Sequence, residues 1–414
     1  MKPFRNRLTS RGLVVLGTLW SFVCLGDSPT KNQAGARPAQ ARVFAFVINR
    51  EPKNLISEFR IDGGSPLASP STFPTSFAPL SEAIASSGEF LYVGTVGGNA
   101  ISQYRVGANG AMVPLSPATI KAGIGPSDIQ ITPNGRFLYA IDTANTLSQY
   151  RISADGRLKP LSPATIPVDF AARSLAIDPT GRYAYLLTQN HGEPMGYGGT
   201  LAQFHIRADG TLQAFAMQDV SQGNNRDYTV TRPLQIIFGP TGHFAYVASS
   251  DGLATLKAGK EGILTPVQIP PLVNLADDPG VDAVSFLAFH PSGRVLYTVN
   301  GYNNSGANVL SLLKIMPDGT PSLMARYSIQ ADGTLVPLVA HASSAPQTVG
   351  INFSALAFDP TGRQLYAVNF ASKASIFQYQ IKSDGTLQSL TPQSVASDPS
   401  AYRIVIAQHG YSRQ

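Results

Sequence analysis

Six histidines (191, 205, 243, 290, 341 and 409) are the first candidates for proton transfer or metal ligation in this 414-residue chain. They occur singly, without the close spacing that lets neighbouring imidazoles share one ion. His205 lies in a run of alternating polar and apolar residues, and His243 and His290 flank turns. His191 differs, because the segment 189–200 (QNHGEPMGYGGT) also carries Glu193 and Tyr197. An imidazole, a carboxylate and a phenol in one segment can take, give and hold a proton. A second long segment, 300–308 (NGYNNSGAN), is rich in amides. Both are rich in glycine and read equally well as plain surface loops. No Gly-x-Ser-x-Gly elbow, phosphate-binding loop or dinucleotide fingerprint is found, so no cofactor and no metal site are expected.

Any such site must be positioned by the repeats that fill the chain. A turn signature, Pro-x-Gly-Arg followed by a strand with Tyr, reads Pro133-Asn134-Gly135-Arg136, Pro179-Thr180-Gly181-Arg182 and Pro240-Thr241-Gly242-His243. It returns as Pro291-Ser292-Gly293-Arg294 and Pro360-Thr361-Gly362-Arg363, with a degenerate copy at Ser86-Ser87-Gly88-Glu89. The glycines are 47, 46, 61, 51 and 69 residues apart, the length of one four-stranded propeller blade with insertions in the longer copies.

A second marker, an acidic or Asn residue before Gly, sits where a third strand should turn into a fourth. It occurs at Asp62, Asn109, Asp155, Asp209, Glu261, Asp332 and Asp384, which makes seven blades. Asp318-Gly319 falls inside the longest repeat and marks an extra hairpin in blade six. Strands such as 146–152 (TLSQYRI) alternate with period two, as half-buried antiparallel strands do. The expected fold is therefore all-β, a seven-bladed propeller of four-stranded antiparallel blades. Residues 43–49 (VFAFVIN) match a second strand with no first, and 399–406 (PSAYRIVI) match a first strand with no second. Pairing them completes blade one and leaves no open edge.

Composition agrees. A chain 43% hydrophobic and 14% charged is too apolar to be disordered, and 38 Gly with 31 Pro suit many tight turns. Lys2, Arg5, Arg7 and Arg11 precede the apolar run 13–25 (LVVLGTLWSFVCL), which has the order of an export signal and is short for a bilayer span. Setting those four aside from 31 basic residues against 25 acidic ones leaves a nearly neutral domain. Neither nucleic acid nor an acidic partner is implied. The expected organisation is a signal at 1–26, a flexible tether at 27–42, the propeller at 43–410 and a tail at 411–414, with no integral membrane domain once processed. Small residues at 34–36 and 39–41 offer two processing sites, and Cys24 makes a lipid anchor the alternative. The expected location is periplasmic or secreted, and the expected state a monomer.

The [DH]-Pro-x-Gly-Arg-x-x-Tyr copies and the Asp-Gly-Thr-Leu turns at 209–212, 332–335 and 384–387 resemble the lactonase family of seven-bladed propellers over residues 43–408. That family includes bacterial 6-phosphogluconolactonase and carboxymuconate-lactonising enzymes. The resemblance implies a hydrolase opening the cyclic ester of a sugar acid or related small anion. It also implies a Pro-Arg-His or Pro-His-type segment five residues before the turn proline, and an Asn-Glu pair after a second strand. Here the first position holds Asp128, Ser174, Gln235, Phe286 and Ala355. Gly301 and Phe370 stand where Glu would follow Asn, and only Arg173 keeps the basic residue.

Two readings stay open. In one, His191 and Glu193 are catalytic, and Asp128, Arg173, Arg232, Asp282 and Asn352 converge from the starts of five innermost strands on a small anionic or polyhydroxylated ligand. In the other, a noncatalytic propeller at the envelope binds a protein or glycan through the same face. The export reading has a direct check. Peptide mapping of the mature protein should find no peptide from residues 1–25, and a lipid on Cys24 would point to the anchor instead.

Overall fold

The computed structural model describes residues 42–50, 52–62, 67, 70–168, 171–189, 199–219, 233–250, 252–267, 284–300, 309–318, 320–329, 335–337, 353–369, 375–398 and 400–409. All belong to one compact unit, Ala41–Gln414. Every regular element among them is a β-strand, and the strands form seven antiparallel sheets, one per blade. The innermost strands are Ala401–His409 in blade one, Pro79–Ile84 in blade two, Asp128–Ile131 in blade three and Ala171–Ile177 in blade four. Gln235–Phe238, Val284–Phe289 and Phe353–Phe358 serve blades five, six and seven. Each contacts the next in this order, and the last contacts the first, so the ring closes.

Blade one is built from both ends of the domain. Ala401–His409 pairs with Arg42–Asn49 from Arg42 opposite His409 to Asn49 opposite Ala401, as expected from the two incomplete copies. Six blades have four strands and blade six has five, in keeping with the extra hairpin expected there. The roles of its two Asp-Gly turns are reversed. The third strand, Val309–Ile315, turns into the fourth, Pro321–Ile329, through Asp318, where the Met316 N–H donates to the Thr320 carbonyl at 2.8 Å. Asp332 and Gly333 lie outside the described residues, between the fourth strand and a short fifth, Leu335–Pro337. Two consecutive turns of the same chemistry do not reveal which hairpin packs on the third strand.

The recurring Pro and Gly of the first turn have a mutual reason. In each copy the Gly N–H donates to the carbonyl three residues earlier, as Gly135 does to Thr132 at 2.8 Å, and the Gly takes a positive φ, 69° at Gly135. A Cβ on Gly181 would lie 3.3 Å from Pro133, one on Gly242 3.2 Å from Pro179 and one on Gly293 3.1 Å from Pro240, so these three turns rest on the proline of the blade before. His290 extends this contact. One ring nitrogen meets the Gly362 carbonyl at 2.7 Å and the other meets the Ser292 hydroxyl at 2.7 Å, which makes it a turn residue.

The repeated tyrosines rivet the seams between blades. Tyr92, Tyr139 and Tyr185 donate their hydroxyls at 2.6 Å to the carbonyls of Gly156, Gly210 and Gly262, and Tyr297 donates to Gly385 at 2.9 Å. Each acceptor is the glycine of the next blade's third-to-fourth turn. Burial raises the pKa of these phenols well above its usual value, so they remain donors across the physiological range. Glutamines on third strands add a second tie. Gln103 accepts from the Leu158 N–H, Gln149 from Leu212 and Gln203 from Leu264, each in the following blade, at 2.7 to 2.9 Å. Between these ties lie apolar clusters shared by neighbours, such as Tyr139, Ile141 and Leu147 of blade three with Leu175 and Leu186 of blade four.

Deleting residues 399–408 removes the innermost strand of blade one and exposes a row of backbone groups on Arg42–Asn49. The truncated protein should aggregate or lose its cooperative melt in size-exclusion and thermal unfolding measurements. An unchanged melting transition would contradict closure by this strand.

Candidate functional site

The innermost strands surround a central cavity of about 480 Å³. Its walls come from blades three to seven and from blade one. Irregular strand starts form its rim. The ladder between first and second strands shifts register at Leu80, Arg173, Ser285, Ser354 and Tyr402, which are skipped in the pairing. A β-bulge bends its strand and re-aims the extra side chain. Arg173, Ser285, Ser354 and Tyr402 all line the cavity, joined by Ser127 and Leu234 at the same level of blades three and five.

Of the five residues expected to converge, the structure brings Asp128 and Arg173 to this cavity. Arg232, Asp282 and Asn352 lie outside the described residues, as do His191 and Glu193. Arg173 is exposed and has no hydrogen bond or ion pair with a described residue, so its guanidinium is available to a ligand. It is not paired with Asp128. That carboxylate is only 6% exposed, with one oxygen accepting from the Leu175 N–H at 2.9 Å and the other from the Gln130 amide at 3.2 Å.

The Leu175 bond is one of a series. Five residues before the turn proline, the side chain reaches forward to the innermost strand of the next blade. Asp128 accepts from Leu175, Ser174 from Ile236 at 3.3 Å and Gln235 from Leu287 at 2.6 Å. Ser81, at the same place in blade two, donates to the Pro126 carbonyl at 2.9 Å. The position where the family resemblance implies a histidine is used here, in these four blades, as a latch between blades.

Arg403 escaped the sequence reading. It stands opposite Ile48 in the ladder, as Ser174 stands opposite Leu187, and so occupies this same position in blade one. Counting back from a turn proline cannot find it, because no turn follows the C-terminal strand. Arg403 lines the cavity, and its guanidinium lies 5.8 Å from the centre of the Tyr402 ring, which also carries Arg50 at 4.9 Å. No described histidine lines the cavity. His205 packs between Tyr183 and Phe215, at 5.3 and 4.2 Å.

A second unforeseen group is Glu82, one residue further along the innermost strand of blade two. The other blades place Ile129, Leu175, Ile236, Leu287, Leu356 and Ile404 at this level, all buried. Glu82 is 7% exposed, and neither carboxylate oxygen has a hydrogen-bond partner among the described residues. Burial raises its pKa well above the usual value, against a smaller opposing pull from Arg403. Superposing the seven repeats in the sequence would have exposed it as one acid in an apolar column.

A sequence model described as Lactonase, 7-bladed beta-propeller matches residues 109–198. The resemblance is to the lactonase family. Among curated proteins none matches the chain. Solved structures similar to this lactonase-like propeller include a candidate 6-phosphogluconolactonase from Bacteroides fragilis, with 18% identity and a TM-score of 0.66 over 92% of this chain and 100% of that one. The periplasmic gluconolactonase of Pseudomonas aeruginosa shares 17% identity, with a TM-score of 0.65 over 88% of this chain and 99% of the other. A functionally unknown protein from Desulfotomaculum acetoxidans shares 19%, with a TM-score of 0.63 over 88% and 99%. At these identities the likeness is one of fold.

Asp128→Ala should act on stability, because it leaves the buried Leu175 N–H without its acceptor. The expected cost is about 1–3 kcal/mol, seen as a lowered melting temperature. An unchanged melt would remove the latch role.

Proposed function

We propose that the central cavity binds a small anionic, polyhydroxylated ligand, and that the reaction it serves is hydrolysis of a sugar-acid lactone. One observation carries this reading. Arg173 is an exposed cation with no ion pair among the described residues, held at a bulge in a cavity whose rim also carries Leu234 and the hydroxyls of Ser127, Ser285, Ser354 and Tyr402. A guanidinium offers two parallel donors to a carboxylate or phosphate, and hydroxyls exchange hydrogen bonds with sugar hydroxyls. The lactonase-family match and the gluconolactonase-like neighbours support the same class of substrate.

In the hydrolysis a water oxygen bonds to the acyl carbon and gives its proton to a base. The ring C–O bond then breaks, and the departing alkoxide takes up a proton. Arg173 and Arg403 supply positive charge for the oxyanion that develops. Asp128 is the carboxylate of the described lining, and its oxygens keep lone pairs for a water beyond the two bonds they accept. His191 and Glu193 on the 189–200 segment are the alternative base pair. We further propose that the protein is a monomer and that it is exported to the periplasm or medium; the charged-then-apolar N-terminal segment supports the export.

A noncatalytic reading, binding a protein or glycan at this face, is favoured by two facts. Asp128 is committed to the latch, and no described histidine lines the cavity. Hydrolysis of D-glucono-δ-lactone and related lactones above the protein-free rate separates the two, and no turnover across the panel would leave binding alone. Arg173→Ala should weaken D-gluconate binding about tenfold to a hundredfold, the loss of one charge-assisted bidentate contact, with an unchanged melting temperature. A destabilised variant with normal affinity would end the anion-site reading.

A further inference from the structure

The pattern of the repeats sets Glu82 and Arg403 against each other. Side chains five before the turn proline reach forward to the next blade, as Asp128, Ser174 and Gln235 do. Those four before it pack backward. Ile129 of blade three joins Tyr92 and Ile101 of blade two, and Leu175 of blade four joins Tyr139 and Ile141 of blade three. Arg403 holds the forward position in blade one, and Glu82 holds the backward position in blade two. The two therefore share the seam between these blades.

Other charged or titratable groups on the strands packed against Glu82 are engaged elsewhere. On Arg42–Asn49, Arg42 lies at the far end of the ladder opposite His409 of the innermost strand, and donates to the Ala108 carbonyl. Tyr92 on the second strand of blade two donates to Gly156 of blade three, and Asp128 on the innermost strand of blade three accepts from Leu175 of blade four. Tyr402 lines the cavity beside Arg50. Arg403 is the cation that acts on Glu82, and it also lines the cavity.

We propose that Glu82 is a positioning residue for Arg403: neutral, it leaves the guanidinium free to serve the cavity, and ionised, it draws the guanidinium into the seam, so that anion binding weakens as pH rises. This rests on the reading of the cavity as an anion site. The reason is competition for one cation. A carboxylate in an apolar seam, with no hydrogen bond to a described residue, has Arg403 as its source of stabilisation, and a ligand needs the same charge outside. By linkage, whatever ligand binding does to the ionisation of Glu82, that ionisation does to ligand affinity.

The test uses D-gluconate, which stays ionised from pH 5 to 8, and calorimetry on the wild type and Glu82→Gln. The wild type should lose about tenfold in affinity across the range, the equivalent of one pKa unit of coupling, and Glu82→Gln should show a flat profile. Parallel profiles in the two proteins would overturn the proposal. A ligand-free arm keeps it decidable if gluconate binds neither protein, an outcome that counts against the anion site alone. A carboxyl whose pKa is raised by folding contributes stability that is complete below its unfolded value and is lost as pH rises through its folded value. The wild-type melting temperature should therefore fall relative to Glu82→Gln as pH rises. In Arg403→Met, compared with the Arg403→Met, Glu82→Gln double variant, that fall should continue to higher pH, because the pull that lowers the folded pKa of the carboxyl is gone. Parallel melting profiles for the wild type and Glu82→Gln, or a relative fall that Arg403→Met does not extend, refute the coupling.

Discussion

The pairing of Ala401–His409 with Arg42–Asn49 carries more than its own hydrogen bonds, because a ring of blades has no edge only when it is shut. Each of the seven seams buries apolar side chains from two neighbours, so an open ring would expose two faces at once. The seam of blades seven and one sets Tyr366 and Val368 against Ile404, and that of one and two sets Phe46 and Ile48 against Leu91 and Val93. The same strand delivers Tyr402 and Arg403 to the cavity. Closure is thus a condition for the candidate site as well as for the fold.

Repetition gives each position along the innermost strand a fixed direction. Ser81, Asp128, Ser174 and Gln235 turn toward the following blade and bond its backbone, which requires only a short polar side chain. Phe286 and Ala355 cannot do this, and in blade seven Ser354 donates instead to the Tyr402 carbonyl at 2.7 Å. In blades one, four, six and seven the residue before this position is set out of the ladder by the bulge and lines the cavity. Cavity and scaffold are therefore interleaved residue by residue, with Arg173 lining the cavity and its neighbour Ser174 bonding the next blade.

The charge balance of the described cavity follows from the same geometry. Asp128 has both oxygens engaged, and Arg173 and Arg403 have no described ion pair. Burial holds the nearby Glu82 toward its neutral form, which leaves the balance positive. In a concave site with low-dielectric walls such an excess acts on an anion more strongly than it would on an open surface. The exposed Asp209, Asp318 and Asp384 serve turns instead, and hydrogen bonds from Thr211, Thr320 and Thr386 lower their pKa.

Blade count, strand order and the means of closure were legible in the residues alone, because turn chemistry is local: Gly is needed where φ is positive, and Asp where a Thr must be capped. The repeated Tyr and the His290 turn could be recognised as scaffold for the same reason, since a feature present in every blade is a property of the blade. Arg173 was legible as a cation near the mouth of the channel. Its freedom from Asp128 was not, because that depends on Asp128 reaching the Leu175 backbone in the next blade. The opposition of Glu82 and Arg403 was decided by the tertiary structure alone. One stands near the start of the domain and the other near its end, and only a shut ring turns those two ends into neighbouring blades.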